Sequence, residues 1–373
     1  MEAFQVIAIV VAAAVTAFLS TPLVIRLAKR IGAIDRPNAR KVSEREAMPL
    51  LGGLAVALGC VVGLSLAFLI CDVEGLSNAL PGFAAGSTIL IGVGVWDDRF
   101  DLRPLYKFGF QLLAAGLAIE AGFRFDLFSN FVTRETIVVP AWLLWPVSLL
   151  WIVGVTNAMN LIDGLDGLSS GVGAIIAGTL TVLCWQGEQW VGAVVGFVLF
   201  GALVGYLPFN FPPARIFLGD TGSLFIGYAL ALLALEGYRK TALFTFMVPL
   251  MALAIPLLDT ALSILRRLRS GRGVFSADRL HMHHRLLHRE GSHRSAVLML
   301  YFLTACFCMI AVSFAQIDGW IAFVYLGAVV AVTFRLLRNL DAFSLEFTAE
   351  APIPPDASGD DGEGDDDGPE VAQ

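Results

Sequence analysis

Apolar residues in this chain come in near-continuous blocks, separated by short segments rich in aspartate, asparagine, glycine and histidine. A helix needs roughly 20 predominantly apolar residues to cross the hydrocarbon core of a bilayer. Blocks of about that length fall at 4–25, 50–70, 79–96, 107–122, 140–158, 168–185, 189–207, 222–237, 241–260, 295–315 and 319–337. The pattern therefore predicts an all-α, polytopic membrane protein with about eleven transmembrane helices, the fourth and eighth being short. Composition agrees, with 57% hydrophobic residues, 15% charged residues and a mean hydropathy of +0.75.

Basic residues orient the spans, because loops rich in lysine and arginine stay on the cytoplasmic side. On one side lie Arg26 to Arg45, then Arg99, Arg103 and Lys107, then Arg215, then the eight arginines from Arg266 to Arg294, then Arg335 and Arg338. The other side carries only Arg124, Arg134, Arg239 and Lys240. The N-terminus is expected outside and the C-terminus in the cytoplasm. No basic residue precedes the first apolar block, which suits a retained anchor rather than a cleaved signal.

The formal charge of −7 comes from the end of the chain, since nine acidic residues and no basic one follow from Glu350 onward. Subtracting them leaves about +2 for the rest. Two domains are expected: a membrane domain over 1–340 and an acidic, disordered cytoplasmic tail over 341–373 that has little to bury. Cys60, Cys71, Cys184, Cys306 and Cys308 lie in or beside apolar blocks and read as small hydrophobes, without metal-ligand spacing.

Polar clusters punctuate the inner side. They are "WDDRFDLRPLYKFGFQ" at 96–111, "TNAMNLIDGLDGLSSG" at 156–171, "LPFNFPPARIFLGDTGS" at 207–223 and "VFSADRLHMHHRLLHREGSH" at 274–293, joined by a first loop at 35–53. Carboxylates at a bilayer are costly and tend to mark ion or substrate sites. If helix packing draws Asp97, Asp98, Asp101, Asp163, Asp166 and Asp220 into one inner cavity, they require a cation, and hard oxygen ligands suit Mg²⁺ completed by substrate phosphates. Asp97 and Asp101, four apart, share a helix face if the fourth span begins there, with Lys107 and Gln111 continuing a similar face.

In "LGDTGS", Gly219 and Gly222 let backbone approach a ligand, and the helix N-terminus that follows favours an anion. Phe209, Phe211 and Phe217 near Asn210 offer either a stacking surface for a base or an interfacial aromatic belt. His281, His283, His284 and Arg285 suit either a transition metal or, as donors beside arginines, a diphosphate or sugar.

Taken in order, "DDRFDLRPLYKFGFQ", "NAMNLIDGLDGL", "FNFPPARIFLGDTGS" and "DRLHMHHR" resemble the polyprenyl-phosphate N-acetylhexosamine-1-phosphate transferases, over roughly residues 1–340. The resemblance implies transfer of a sugar-1-phosphate, GlcNAc-1-phosphate first among them, from a UDP-sugar to a polyprenyl phosphate such as undecaprenyl phosphate, with release of UMP. It implies Mg²⁺ as the cofactor, with Mn²⁺ as the alternative. Asp220 would be the main metal ligand, with Asn160 close to the metal and the diphosphate. Asp97 and Asp98 would face the polyprenyl phosphate, Asp163 joins the catalytic group, and Lys107 matches the pattern after the paired acids. Asp166 and Phe217 would hold the uracil, with Asn210 nearby. His281, His283, His284 and Arg285 would hold diphosphate and sugar.

One departure stands out, because a histidine is expected shortly after the "RK" of the first inner loop, and here Arg40-Lys41 is followed by Val42, Ser43 and Glu44. A multi-pass inner-membrane enzyme with its site facing the cytoplasm is expected, serving cell-wall or lipopolysaccharide biogenesis, without a nucleic-acid partner and with a homodimer allowed. Two alternatives are a phospho-N-acetylmuramoyl-pentapeptide transferase and, from a different class, an ion-coupled transporter. The interrupted "HMHHR" speaks against the first. Acids at span ends without an internal repeat speak against the second.

Overall fold

The computed structural model describes residues 1–35, 47–125, 127–129, 136–138, 140–238, 244–269, 271, 281–282, 285–287, 291–317 and 320–339. His283, His284, the Val42–Glu44 departure and the acidic tail lie outside the described residues. Helices dominate: α1 (Ala3–Ile31), α2 (Gly52–Ile70), α3 (Leu76–Phe100), α4 (Pro104–Glu120), α5 (Ala141–Ile162), α6 (Leu168–Gln186), α7 (Trp190–Asn210), α8 (Gly219–Tyr238), α9 (Phe244–Ala252), α10 (Ala254–Arg269), α11 (His293–Ala315) and α12 (Trp320–Asn339). Seven of them, α1, α2, α3, α5, α6, α7 and α11, are long and apolar enough to cross a bilayer, so the protein is a polytopic membrane protein.

Strand content departs from the all-helical expectation. Two short antiparallel ladders occur among the described residues, β1 (Ile34–Asp35) with β2 (Met48–Pro49), and β3 (Leu127–Ser129) with β4 (Thr136–Val138). The first ladder has a physical cause in its neighbours. Phe217 N–H donates to Pro49 O (2.9 Å), and Gly52 and Gly53 N–H donate to Phe217 O and Leu218 O (3.0 Å each). Extended backbone before α2 is thus paired with extended backbone before α8, which satisfies amides that helix cannot serve.

The predicted ninth block, 241–260, is not one helix but two, meeting at Leu253 between Pro249 and Pro256. Pro256 has no N–H to give Ala252 O, and the Cys308 thiol of α11 lies 3.8 Å from that carbonyl instead. Loss of one ladder bond is compensated from a neighbouring helix, as proline in a membrane helix requires.

Small residues set the helix spacing. In lipid, helices associate through close packing more than through hydrophobicity, and glycine lets backbones touch. A Cβ on Gly205 of α7 would sit 2.1 Å from Ala14 O of α1. α8 occupies the middle, packed by α2, α3, α5, α6 and α7 and buried along nearly its whole length from Thr221 to Glu236. Its N-terminal turn, which carries Asp220, is the part of the core that becomes the site.

Candidate active site

Backbone contacts fix that turn. A Cβ on Gly53 of α2 would lie 2.1 Å from Gly222 N, and one on Gly94 of α3 would lie 2.3 Å from Thr221 Cα. Both positions admit only glycine, because anything larger pushes α8 away. Asp98, one turn past Gly94, then reaches the open N-terminus of α8. Its Oδ1 accepts the Asp220 N–H (2.8 Å), while its Oδ2 accepts the Thr221 N–H (3.2 Å) and hydroxyl (2.6 Å). A carboxylate there satisfies amides that lack intrahelical partners and meets the positive end of the helix dipole. Asp98 is thereby a cap supplied from another helix.

Asp97 points elsewhere. Its Oδ1 accepts the Leu102 N–H at 2.8 Å, which holds the tight turn between α3 and α4. Asp101 sits in that turn with a left-handed backbone (φ 54°), beyond the end of α3, and is exposed. The expectation that Asp97 and Asp101 share a helix face is therefore wrong, because the helix ends between them and α4 starts afresh at Pro104. The turn brings Lys107, one turn into α4, back toward α3. Lys107 Nζ bridges two carboxylates, 3.1 Å from Asp97 Oδ2 and 2.7 Å from Asp220 Oδ2.

Asn160, near the end of α5, completes the cluster, since its Nδ2 donates to Asp220 Oδ1 (2.9 Å) and Ser223 Oγ (2.8 Å). One turn away, Asn157 and Gln111 exchange amide hydrogen bonds at 2.6 and 3.3 Å, joining α5 to α4. Lys107 and Gln111 on α4 are thus matched to Asn160 and Asn157 on α5.

Asp163 follows immediately after α5. Burial, and then the nearby carboxylates of Asp220, Asp98 and Asp166, push its pKa well above the usual carboxylate range. No described residue donates a hydrogen bond to its carboxylate. Oxygens of Asp97, Asp98 and Asp220 lie within 4.8 Å of one another. Three hard donors this close, beside the half-buried Asp163, fit a divalent cation, and a magnesium ion would use such a set with substrate oxygens.

A second group of polar contacts lies at the start of α6. Asp166 Oδ2 accepts the Ala214 N–H (3.0 Å), pulling the 211–217 loop against the start of α6. Asn210 is 3% exposed and internally bonded, its Oδ1 accepting from Ser170 (2.6 Å) and its Nδ2 donating to Ile216 O (2.9 Å). Of the three phenylalanines read as one surface, Phe209 packs on Phe18 of α1 (5.0 Å between rings). Phe211 instead lies between the Tyr301 ring and the Arg294 guanidinium, 5.5 Å from its centroid. Phe217 contributes the backbone that pairs with Pro49 and Gly52. His281 and Arg285 form a third group, both buried, with His281 bound to Asp259 of α10.

Thr221 and Ser223 of "LGDTGS" bond Asp98 and Asn160, roles that their spacing in the sequence does not signal. Asp259 was missed altogether, although an acid inside an apolar block is itself a signal.

Against known proteins, the profile of glycosyl transferase family 4 matches residues 80–238, the segment that holds Asp97, Lys107, Asn160, Asp166 and Asp220. A probable undecaprenyl-phosphate N-acetylglucosaminyl 1-phosphate transferase of Bacillus subtilis is 36% identical over 82% of this chain and 84% of its own length. The chain belongs to glycosyl transferase family 4. Within it, the decaprenyl-phosphate N-acetylglucosaminephosphotransferase of Mycobacterium tuberculosis is 35% identical, over 89% of both chains. The undecaprenyl-phosphate alpha-N-acetylglucosaminyl 1-phosphate transferase of Escherichia coli K12 is 29% identical, over 80% of this chain and 82% of its own. The family match and the carboxylate cluster coincide in sequence.

Proposed function

We propose that this protein transfers GlcNAc-1-phosphate from UDP-GlcNAc to a polyprenyl phosphate, undecaprenyl phosphate in the first instance, releasing UMP. The observation that carries this reading is Lys107 bridging Asp97 and Asp220, with Asn160 on the opposite oxygen of Asp220, at the ends of four helices. The names of the related transferases supply the lipid phosphate and the transferred group, and the resemblance of the motifs supplies UDP as the carrier. A polyprenyl chain dissolves in the bilayer and a nucleotide sugar in water, so the two can meet only at an interface.

The arrangement proposed is eleven spans over a domain of residues 1–340, with α9 and α10 together forming the ninth. The N-terminus is outside, and the C-terminus and the 341–373 tail are cytoplasmic. The site faces the cytoplasm at the inner membrane. The distribution of lysine and arginine supports this orientation.

In the reaction, an oxygen of the acceptor phosphate attacks the β-phosphorus of the UDP-sugar. A new P–O bond forms and the bond to the α-phosphate oxygen breaks, so that UMP leaves with that electron pair. The second ionisation of a phosphate monoester lies near pH 6, so the acceptor is largely dianionic at neutral pH and needs no strong base. Asp97 therefore acts by holding Lys107, whose ammonium offers positive charge to the phosphate oxygens. Asp98 orients the turn that carries Asp220. Asp220, Asp97 and Asp98 are the residues that would hold Mg²⁺, with Asn160 alongside. When bound, the ion neutralises diphosphate oxygens on which charge accumulates during transfer. Asp163 contributes a further carboxylate beside them. Asp166, with Phe217 and Asn210 shaping the adjoining loop, receives the uracil, and His281, His283, His284 and Arg285 hold the diphosphate and sugar.

The deciding experiment incubates the purified protein with UDP-GlcNAc and undecaprenyl phosphate, with and without Mg²⁺, and measures UMP and lipid-linked sugar together. The reading requires both products in equal amounts, dependent on Mg²⁺. UDP-N-acetylmuramoyl-pentapeptide as the preferred donor would reassign the substrate.

A further inference from the structure

Asp259 lies on α10, within the predicted ninth apolar block, and is 2% exposed. A carboxylate in such surroundings is costly unless its oxygens are bonded. Both face the segment that begins 22 residues further on. Oδ2 lies 3.1 Å from His281 Nδ1, and Oδ1 accepts the Met282 N–H at 2.7 Å. His281 is 5% exposed, and its carbonyl accepts the Arg285 N–H (3.2 Å), which starts the turn carrying the buried Arg285.

The chemistry of this contact is directional. A carboxylate oxygen at Nδ1 favours the imidazole form that carries its proton there, which leaves Nε2 as an acceptor for a hydroxyl or amide N–H of the sugar. The Met282 bond fixes the main chain beside the ring, so the imidazole is held at two points. We propose that Asp259 is a positioning residue of the transferase, fixing the tautomer and tilt of His281 and, through the following turn, the placement of Arg285. The inference rests on the reading of His281 and Arg285 as residues that hold the diphosphate and sugar, Arg285 as a donor to phosphate and His281 through Nε2 as an acceptor from the sugar, and it adds the helix residue through which they act.

Four variants test it: D259N, H281A, H281N and the double variant D259N/H281A, each purified and assayed for UMP release, with kcat and both KM values determined. In D259N the amide still accepts from Met282 N–H but turns a donor toward Nδ1, imposing the wrong tautomer. The expected result is a fall in kcat of roughly 10-fold to 100-fold, as for other partners that orient a functional histidine, with KM for undecaprenyl phosphate unchanged. D259N/H281A should be no slower than H281A, since Asp259 acts through that ring. H281N keeps a donor near the Nδ1 position and lacks Nε2, so it should melt like the wild type and turn over like H281A. This arm stands even if D259N is not recovered folded. Losses that multiply in the double variant, or a fully active H281N, would overturn the proposal. An H281A enzyme with unchanged kcat and UDP-GlcNAc KM would overturn the reading of His281 as a sugar-holding residue, and the role of Asp259 with it.

Discussion

Asp98 of α3 caps the helix that carries Asp220, through three hydrogen bonds of 2.6 to 3.2 Å to Asp220 and Thr221. Two acids that repel one another are thereby held side by side. D98A should lower thermal stability by about 1 kcal/mol, the usual cost of a lost cap, and should reduce transfer by more than the stability loss explains. Thermal denaturation in detergent and UMP release, measured on the same preparation, separate the two effects. D98N, which keeps acceptor capacity on one atom, should fall between D98A and the wild type in stability.

Removing the bridging ammonium should hurt more than any other single change in the cluster. K107M leaves Asp97 and Asp220 facing each other, and the loss of one preorganised donor typically costs 10²- to 10³-fold in kcat. K107R keeps the charge but replaces a point donor with a planar fork, and should recover little of the rate. Initial rates at saturating UDP-GlcNAc check both.

D97N separates proton removal from positioning. Because Asp97 bonds Lys107 and the Leu102 amide, the variant should lose activity at every pH. A rate restored at high pH and depressed only at low pH would instead assign proton removal to Asp97.

Asp163 predicts a pH dependence of stability. Its pKa is raised by burial and by Asp220, Asp98 and Asp166. An acid whose folded pKa lies above its unfolded value stabilises the fold below that unfolded value, about 3.9 for aspartate. The contribution fades as pH rises through the folded pKa. In EDTA the melting temperature should therefore decline as pH rises from about 4 upward, and D163N should flatten that decline. Mg²⁺ should raise the melting temperature more at high pH than at low, because it neutralises the charge that causes the loss.

Two glycines on one helix give a matched control for packing. A Cβ at Gly94 would meet Thr221 and Asp220 backbone at 2.3 to 2.7 Å, whereas at Gly92 nothing lies within 4 Å. G94A should destabilise by about 1–3 kcal/mol, the cost of overpacking, and displace Asp220, while G92A should behave like the wild type in melting and turnover.

Much of this was legible in the chain because polar residues in an apolar sequence are conspicuous. The motifs around Asp97, Asn160 and Asp220 marked residues that the fold brings into one hydrogen-bonded cluster, and block lengths located most of the helices within a few residues. What escaped was orientation. A helix that is apolar on all sides gives no sign of which face meets a neighbour, so neither the Gly94–Thr221 contact nor the cap by Asp98 could be read from spacing. The Asp97–Asp101 spacing misled because α3 ends at Phe100 and Asp101 itself takes a left-handed backbone, so no continuous helix aligns the two. Asp259 and His281 were separable only as an acid in a span and a histidine in a loop, since 22 residues of chain carry no rule for their pairing.

At Gly53–Gly222 and Gly94–Thr221, main chain rests on main chain with no side chain between them to yield. Helices α2, α3 and α8 are therefore locked into a single rigid block. A shift of any one of these three would carry the other two with it, so the spacing between Asp98 and Asp220 is preserved whatever the surrounding helices do.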